Sequence, residues 1–196
     1  MPEVRRDAER TRAELLAVAT EVFAEDGYSG ARVDEIAART RTTKRMIYYY
    51  FGGKEGLYRA VLEEAYRGIR EAERGIDVDH SDPVQAVRAL AEVTFDHHVQ
   101  HDAFIRLVAI ENIHRGEFIR QIDSLRTLGQ PAMTILEGIL DRGRSAGVFR
   151  TDVFQVANRY TFGLLFDVDL AAPARRAHLR SVIGDVVVGW LTSPAA

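Results

Sequence analysis

Residues 40–54 read TRTTKRMIYYYFGGK, and this stretch decides how the rest of the chain is read. Between Ile36 and Lys54 lie Arg39, Arg41, Lys44, Arg45 and Lys54 with no Asp or Glu, in a chain of 196 residues whose formal net charge is -3. The only two lysines, Lys44 and Lys54, fall here, beside the consecutive Tyr48, Tyr49 and Tyr50. On a helix capped at Thr43, the residues Ile47, Tyr50 and Phe51 share one face by i, i+3, i+4 spacing. Lys44, Arg45, Tyr48 and Tyr49 fall on the other, and Gly52-Gly53 ends the helix. Cations and phenolic hydroxyls on one side of a short helix suit a surface for phosphates. An ordinary solvated basic face fits the charge equally well, so the neighbours must decide.

Immediately upstream, Val33–Arg39 reads as a short helix with Asp34 and Glu35 in the first turn, where the dipole favours acids, and with Val33, Ile36 and Ala37 facing one way. Thr40-Arg41-Thr42 is the turn between the two helices. Before them, Thr11-Arg12-Ala13-Glu14 has the form of a capping box. Leu15, Leu16, Ala19, Val22 and Phe23 then mark an apolar face, and Gly27 is the C-terminal stop. Arg5, Arg6, Arg10 and Arg12 read as a mobile basic arm over residues 1–10 and just beyond. Two short helices joined by a tight turn, the second presenting cations outward, form a helix-turn-helix arrangement.

Downstream the periodicity is helical throughout, with no convincing strand, repeat or low-complexity segment. A long helix is expected from Lys54-Glu55 to about Arg74, followed by a polar linker over Gly75–Pro83 with Asp82 and Pro83 as cap and first residue of the next helix. Further helices are expected at Val84–His101, Phe104–His114, Phe118–Leu128, Pro131–Ala146 (stopped at Gly147), Asp152–Ala171 and Arg175–Leu191. The last two are apolar nearly all round, from Val153, Phe154 and Val156 to Trp190 and Leu191. A helix with one core-facing stripe needs less, so the surplus is read as a subunit interface, the alternative being burial within a monomer.

Composition excludes several classes. There is no Cys, which removes disulfides, thiolate metal sites and cysteine nucleophiles. No apolar run approaches the ~18 residues of a membrane span. No h-region follows the N-terminal charges, so no signal peptide is expected and a cytoplasmic location follows. No G-x-S-x-G, no G-x-x-x-x-G-K-[ST] and no G-x-G-x-x-G occurs, and no cofactor is expected. His97 and His101, four residues apart with Asp96, His98 and Asp102 adjacent, have a spacing that can hold a divalent ion. Without H-E-x-x-H or a third ligand they are read as surface or pocket-lining histidines, with no metal.

The fragments Thr11–Tyr28, Val33-Asp34-Glu35-Ile36-Ala37, Ile47-Tyr48-Tyr49-Tyr50-Phe51 and Lys54-Glu55-Gly56-Leu57 together resemble the TetR family of transcription regulators. The likeness is close over roughly the first sixty residues; beyond them only length, helical character and the apolar terminal helices agree. It implies a helix-turn-helix DNA-binding domain at 1–54, a linking helix at 55–74 and an effector-binding, dimerising domain at 75–196. It also implies that Thr43 caps the recognition helix and touches phosphate, that Lys44, Arg45 and Met46 face base edges, that Tyr48 and Tyr49 contact phosphate or bases, and that Lys54 meets phosphate. Three positions depart from the family pattern. Arg41 stands where the turn usually has Gly, which places a non-Gly residue in a left-handed conformation. Thr42 replaces an apolar turn residue. Arg32 replaces the usual Thr or Ser cap and is free to reach a phosphate.

The chemistry of these side chains agrees: Arg45 suits a bidentate pair with guanine, and Tyr48 and Tyr49 can donate to phosphate oxygens. Tyr50, sharing a face with Ile47 and Phe51, is assigned to packing. For the C-terminal half, an apolar pocket with a few polar anchors is expected, with Phe95, His98, Leu107, Glu111, His114, Met133 and Tyr160 as candidates. The chain is therefore read as an all-α, two-domain, non-enzymatic DNA-binding regulator. Its expected form is a homodimeric repressor, joined through the last two helices and released from a palindromic operator by a small molecule. An activator of the same fold, or an all-helical enzyme or ligand carrier whose basic helix meets an acidic partner, are the alternatives.

Overall fold

The computed structural model describes residues 2–76, 81–149 and 173–192, and for 2–5, 126–134, 173–176, 179 and 190 the backbone alone. Every regular element among them is helical: α1 (Pro2–Gly30), α2 (Val33–Arg39), α3 (Lys44–Phe51), α4 (Lys54–Glu73), α5 (Pro83–Gln100), α6 (Asp102–Ile113), a single 3-10 turn (Ile119–Gln121), α7 (Asp123–Ser145) and α8 (Pro173–Thr192). The helix expected over Asp152–Ala171 lies outside the described residues, as do positions 77–80 of the expected linker.

The first helix starts much earlier than its capping signal. Pro2 occupies a position where its missing N–H costs nothing, and the charged residues that follow are good helix formers. Thr11 is therefore a mid-helix residue: its hydroxyl donates back to the Asp7 carbonyl at 2.9 Å instead of capping. Arg6 and Arg10 stand exposed on helix, not on a mobile arm, and Arg10 pairs with Asp7 at 3.3 Å. The apolar face is the expected one, with Leu15, Leu16, Ala19, Val22 and Phe23 all buried. Gly27 breaks the helix with φ 69 and ψ 177, a conformation essentially confined to glycine, and a last turn continues to Gly30.

Two compact units emerge, discontinuous along the chain. One comprises residues 1–68 and 101–127, the other 69–100 and 128–196, so the cuts fall within α4, between α5 and α6, and within α7. In the first unit α6 packs along α1. Leu57, Tyr58, Val61 and Leu62 of α4 are wholly buried, and Phe23, Tyr28, Tyr58 and Phe118 form a ring cluster with centroid separations of 4.4 to 6.4 Å. In its midst the Glu111 carboxylate, 1% exposed, accepts from the Tyr58 hydroxyl (3.0 Å) and from the backbone N–H groups of Phe118 (3.2 Å) and Ile119 (3.1 Å). Three donors satisfy a buried charge that would otherwise be costly, and they tie the turn after α6 to α4.

In the second unit α8 packs along α5. Ala86, Val87, Ile139, Phe149 and Leu191 form the core, flanked by Val84, Leu90, Ile135, Leu140, Val187 and Val188. Arg180 joins α8 to Glu92 (2.8 Å) and Asp96 (2.9 Å) of α5, and Arg88 reaches Asp185 at 2.7 Å. Asp82 caps α5 as its position suggests, Oδ1 accepting from the amides of Val84 (2.9 Å) and Gln85 (3.2 Å).

Two expectations here are corrected. The separate helices over Phe118–Leu128 and Pro131–Ala146 do not exist; a 3-10 turn is followed by one α7 that runs through Pro131 to Ser145. Proline removes one backbone hydrogen bond from the interior of the helix, but Ile135, Ile139 and Leu140 then contribute to the core, and that burial outweighs the local penalty. His101 is not on α5, which ends at Gln100; with φ -129 and ψ 65 it is the N-cap residue of α6, and the i, i+4 relation to His97 is lost. Gly147 stops the chain after α7 as expected, with Gly147 N–H bonded to Arg144 O and Val148 N–H to Gly143 O, both at 2.9 Å.

Candidate nucleic-acid interface

The site is assembled from α2, α3 and the first turn of α4. Val33, Ile36 and Ala37 bury the inner face of α2, and its acidic first turn and basic last turn complement the dipole. Arg32 holds the N-cap position in extended conformation, makes no capping bond and is exposed. At the other end, Thr42 N–H bonds to Ala37 O at 3.1 Å and Arg41 N–H to Ala38 O at 3.3 Å, the paired bonds of a Schellman stop. That motif needs a left-handed residue, and Arg41 supplies it with φ 52, as the missing glycine requires.

Helix α3 begins after Thr43, whose backbone is extended but whose hydroxyl makes no capping bond. Ile47, 0% exposed, fastens the helix to the core beneath it. Tyr50 and Phe51 are half-buried; Tyr50 lies edge-on to Tyr49 at 5.1 Å, and the Arg12 guanidinium stands 5.3 Å over the Phe51 ring. On the opposite face Lys44 and Arg45 are exposed, Tyr48 is 52% exposed and Tyr49 78% exposed, while Met46 is half-buried at the edge. Helical geometry thus forms one outward stripe of two cations and two phenols.

The acid-free run is only partly a free positive charge. Lys44 Nζ lies 3.2 Å from Asp34 Oδ1 and 3.3 Å from Oδ2, both partners exposed. Arg39 is paired with Glu21 of α1. Lys54 Nζ donates to the Ser29 carbonyl at 3.3 Å and stands 4.9 Å from the centroid of the Tyr28 ring. Arg32, Arg41 and Arg45 make no ion pair among the described residues.

Two glycines contribute more than a helix stop, and sequence reasoning did not assign them that role. A methyl on Gly53 (φ 130) would come within 3.3 Å of the Tyr48 ring, so the bare backbone there is the floor on which Tyr48 rests. A methyl on Gly56 would lie 1.8 Å from the Phe51 carbonyl oxygen, so glycine at this point lets the start of α4 press against the end of α3. The signal available in the sequence was a glycine inside the first turn of a helix, where propensity argues against it.

The candidates for effector binding fall in both units. Phe95 and His98 on α5 are buried. His98 has its pKa lowered to about 4, first by burial and then by the neighbouring His97. On α6, Leu107 and Glu111 are buried at i, i+4, whereas His114 is the exposed residue closing the helix. Met133 lies on α7 where only the backbone is described, and Tyr160 lies outside the described residues. Among the described residues no group of three or more His, Asp or Glu could hold a metal ion, and no helix is long and apolar enough to cross a membrane. Among the described side chains of α8, Ile183 and Leu191 are buried, Val182, Val187 and Val188 are half-buried, and Val186 is 43% exposed.

Comparison with known proteins agrees with this geometry. Residues 15–61 match the model of bacterial regulatory proteins of the tetR family, and residues 83–187 match the tetracyclin repressor-like C-terminal domain. The HTH-type transcriptional repressor NicS of Pseudomonas putida is 34% identical over 200 residues, covering 95% of this chain and 94% of that protein. The HTH-type transcriptional regulator UidR of Escherichia coli is 27% identical over 205 residues, covering 95% and 98%. The ketosteroid transcriptional regulator KstR2 of Mycobacterium tuberculosis has the same fold, with a TM-score of 0.74 at 20% identity over 93% of this chain and 95% of that one. A chain whose amino-terminal head carries an outward-facing basic helix and whose two parts each match the corresponding family model is a member of the tetR family of bacterial regulatory proteins.

Proposed function

We propose that this chain is a sequence-specific DNA-binding repressor that acts as a homodimer on a palindromic operator and leaves it when a small molecule binds. The observation that carries the reading is the stripe of Lys44, Arg45, Tyr48 and Tyr49, held outward by a fully buried Ile47. In this reading Arg45 takes guanine in the major groove through a bidentate pair, with Lys44 and Met46 beside it on base edges. Tyr48, Tyr49, Thr43, Arg32 and Lys54 serve the phosphates and set register. Exposed ion pairs are worth little, about 0–1 kcal/mol, so the Lys44–Asp34 contact yields readily to a phosphate or a base.

One small head binds modestly, and two placed about 34–36 Å apart on one face of the duplex bind together. The last two helices are proposed as the joining surface; on α8 its visible part is the face bearing Val186, Asp185 and Ser181. A chromosomal operator places the protein in the bacterial cytoplasm, and no catalytic step is assigned to it. For the effector, the buried Phe95 and His98 of α5 are the proposed anchors, one apolar and one a neutral imidazole that can both donate and accept. Glu111, already holding three donors, is engaged in the fold. Release is a population shift, in which the ligand binds the form unable to hold DNA more tightly, by a few kcal/mol.

The test is binding of the full chain to duplex DNA taken from beside its own coding region, followed by fluorescence anisotropy across salt concentrations. Selective binding that weakens steeply with salt, and that is lost in the Lys44→Ala/Tyr48→Phe double variant, is the expected result. A folded protein without sequence preference on that DNA, or a monomer by sedimentation at micromolar concentration, would overturn the reading.

A further inference from the structure

The turn between α2 and α3 contains a residue that its backbone does not favour. Arg41 has φ 52, one of two positive-φ non-glycine residues among those described, and it occupies the left-handed position of a Schellman stop whose hydrogen bonds are both made. Glycine meets that geometry without strain, and Asn meets it with less strain than a long side chain. Arg41 carries a long side chain at this position. Its side chain is exposed and makes no ion pair among the described residues, whereas the cations on either side of it are tied back, Arg39 to Glu21 and Lys44 to Asp34.

The turn leads directly into the first turn of α3. That turn holds no acidic residue, and the Thr43 hydroxyl caps none of its amides, although the Met46 N–H is taken by the Thr43 carbonyl at 2.9 Å. Free N–H groups and the positive end of the dipole favour an anion there, and a guanidinium beside them adds a forked donor suited to phosphate oxygens.

We propose that Arg41 is a DNA-backbone ligand, a phosphate contact made from the turn itself, for which the head accepts a strained backbone. The inference rests on the DNA-binding reading above and adds to it a contact at a position whose geometry calls for glycine. It explains why a residue that weakens the turn is also one of the few unpaired cations near the reading helix. The contact carries no base preference, so it raises affinity for every duplex alike.

Three variants test it in the full chain, with thermal unfolding and anisotropy on operator and scrambled duplexes read together. Arg41→Gly and Arg41→Asn relieve the backbone and remove the cation, one loosening the turn and the other not. Both are expected to melt at or above the wild-type temperature yet bind DNA roughly three- to tenfold more weakly on both duplexes, with the log–log salt slope reduced by about 0.9 for each bound head. Arg41→Lys is expected to keep the wild-type slope. Unchanged affinity and slope in Arg41→Gly and Arg41→Asn would overturn the proposal, leaving Arg41 as a merely tolerated turn residue. A loss confined to Arg41→Gly would also overturn it, since flexibility of the turn would then be the cause. Failure of the wild-type protein itself to bind with salt dependence would instead remove the DNA reading, and Arg41's role with it.

Discussion

A methyl group at Gly56 would sit 1.8 Å from the Phe51 carbonyl oxygen, closer than any packing allows, and the obstacle is backbone that cannot swing aside. Gly56→Ala is therefore expected to destabilise the head by about 2–3 kcal/mol through overpacking, and to weaken DNA binding because the end of α3 must move. A urea titration of the variant with a native-like midpoint would refute this. Gly27 gives the contrasting case: nothing lies within 4 Å of a built methyl, so any penalty at that kink comes from φ 69 and ψ 177 alone. Arg41 is the reverse again, a position where adding glycine relieves the backbone. The left-handed need at Arg41 was expected from the family resemblance, whose turn usually has glycine at that position. The crowding at Gly56 was not, since it depends on how closely two helices approach.

Among the elements, α6 gains its place from a carboxylate that looked like a pocket residue. Glu111 holds Tyr58 of α4, 53 residues away in sequence, and the amides of Phe118 and Ile119 beyond its own helix. Removing it by Glu111→Ala strands one buried and one part-buried N–H group and a buried phenol, for an expected loss of about 3 kcal/mol. Tyr58→Phe removes one charge-assisted bond and is expected to cost about 1.5 kcal/mol. Because the two share that bond, the double variant should fall short of the sum by about 1 kcal/mol in a urea-unfolding cycle, and strict additivity would show that they do not act together. Burial pushes the Tyr58 hydroxyl up, with the Glu111 charge reinforcing the shift, so the phenol stays a donor across the working range. The boundaries of α2 and α3 and the start of α5 followed from caps, turns and period. Those of α1 and α7 did not: Thr11 resembles a cap but lies mid-helix, and Pro131 resembles a start but lies inside α7. In both, the gain from continuing the helix exceeds the local signal.

For the molecule as a whole, pH is the most direct probe of burial. His98 is neutral in the fold, held to about 4 by desolvation and by His97, against an ordinary value near 6.5. Between those values the unfolded chain takes up a proton that the folded chain refuses, so stability is full above pH 6.5 and falls as pH drops toward 4. The expected loss is about 2 kcal/mol between pH 7.5 and pH 5, and it should be much smaller in His98→Gln. Equal pH dependence of the two proteins in urea titrations would show that His98 charges freely in the fold. The division into two units that interleave along the chain could not be read from sequence, where the same stretches fall into consecutive domains. What could be read was the helical class, the helix-turn-helix frame of Val33 to Phe51, the outward choice of Lys44, Arg45, Tyr48 and Tyr49, and the cap at Asp82. Each rests on residues within a few positions of one another, where period, capping and turn chemistry act. The folded chain alone settled that Lys44 meets Asp34, that Gly53 carries Tyr48, that Glu111 holds three donors and that Leu191, Val187 and Val188 of α8 join a core with α5 and α7. Those outcomes depend on which distant side chains share a space, and no local pattern encodes that.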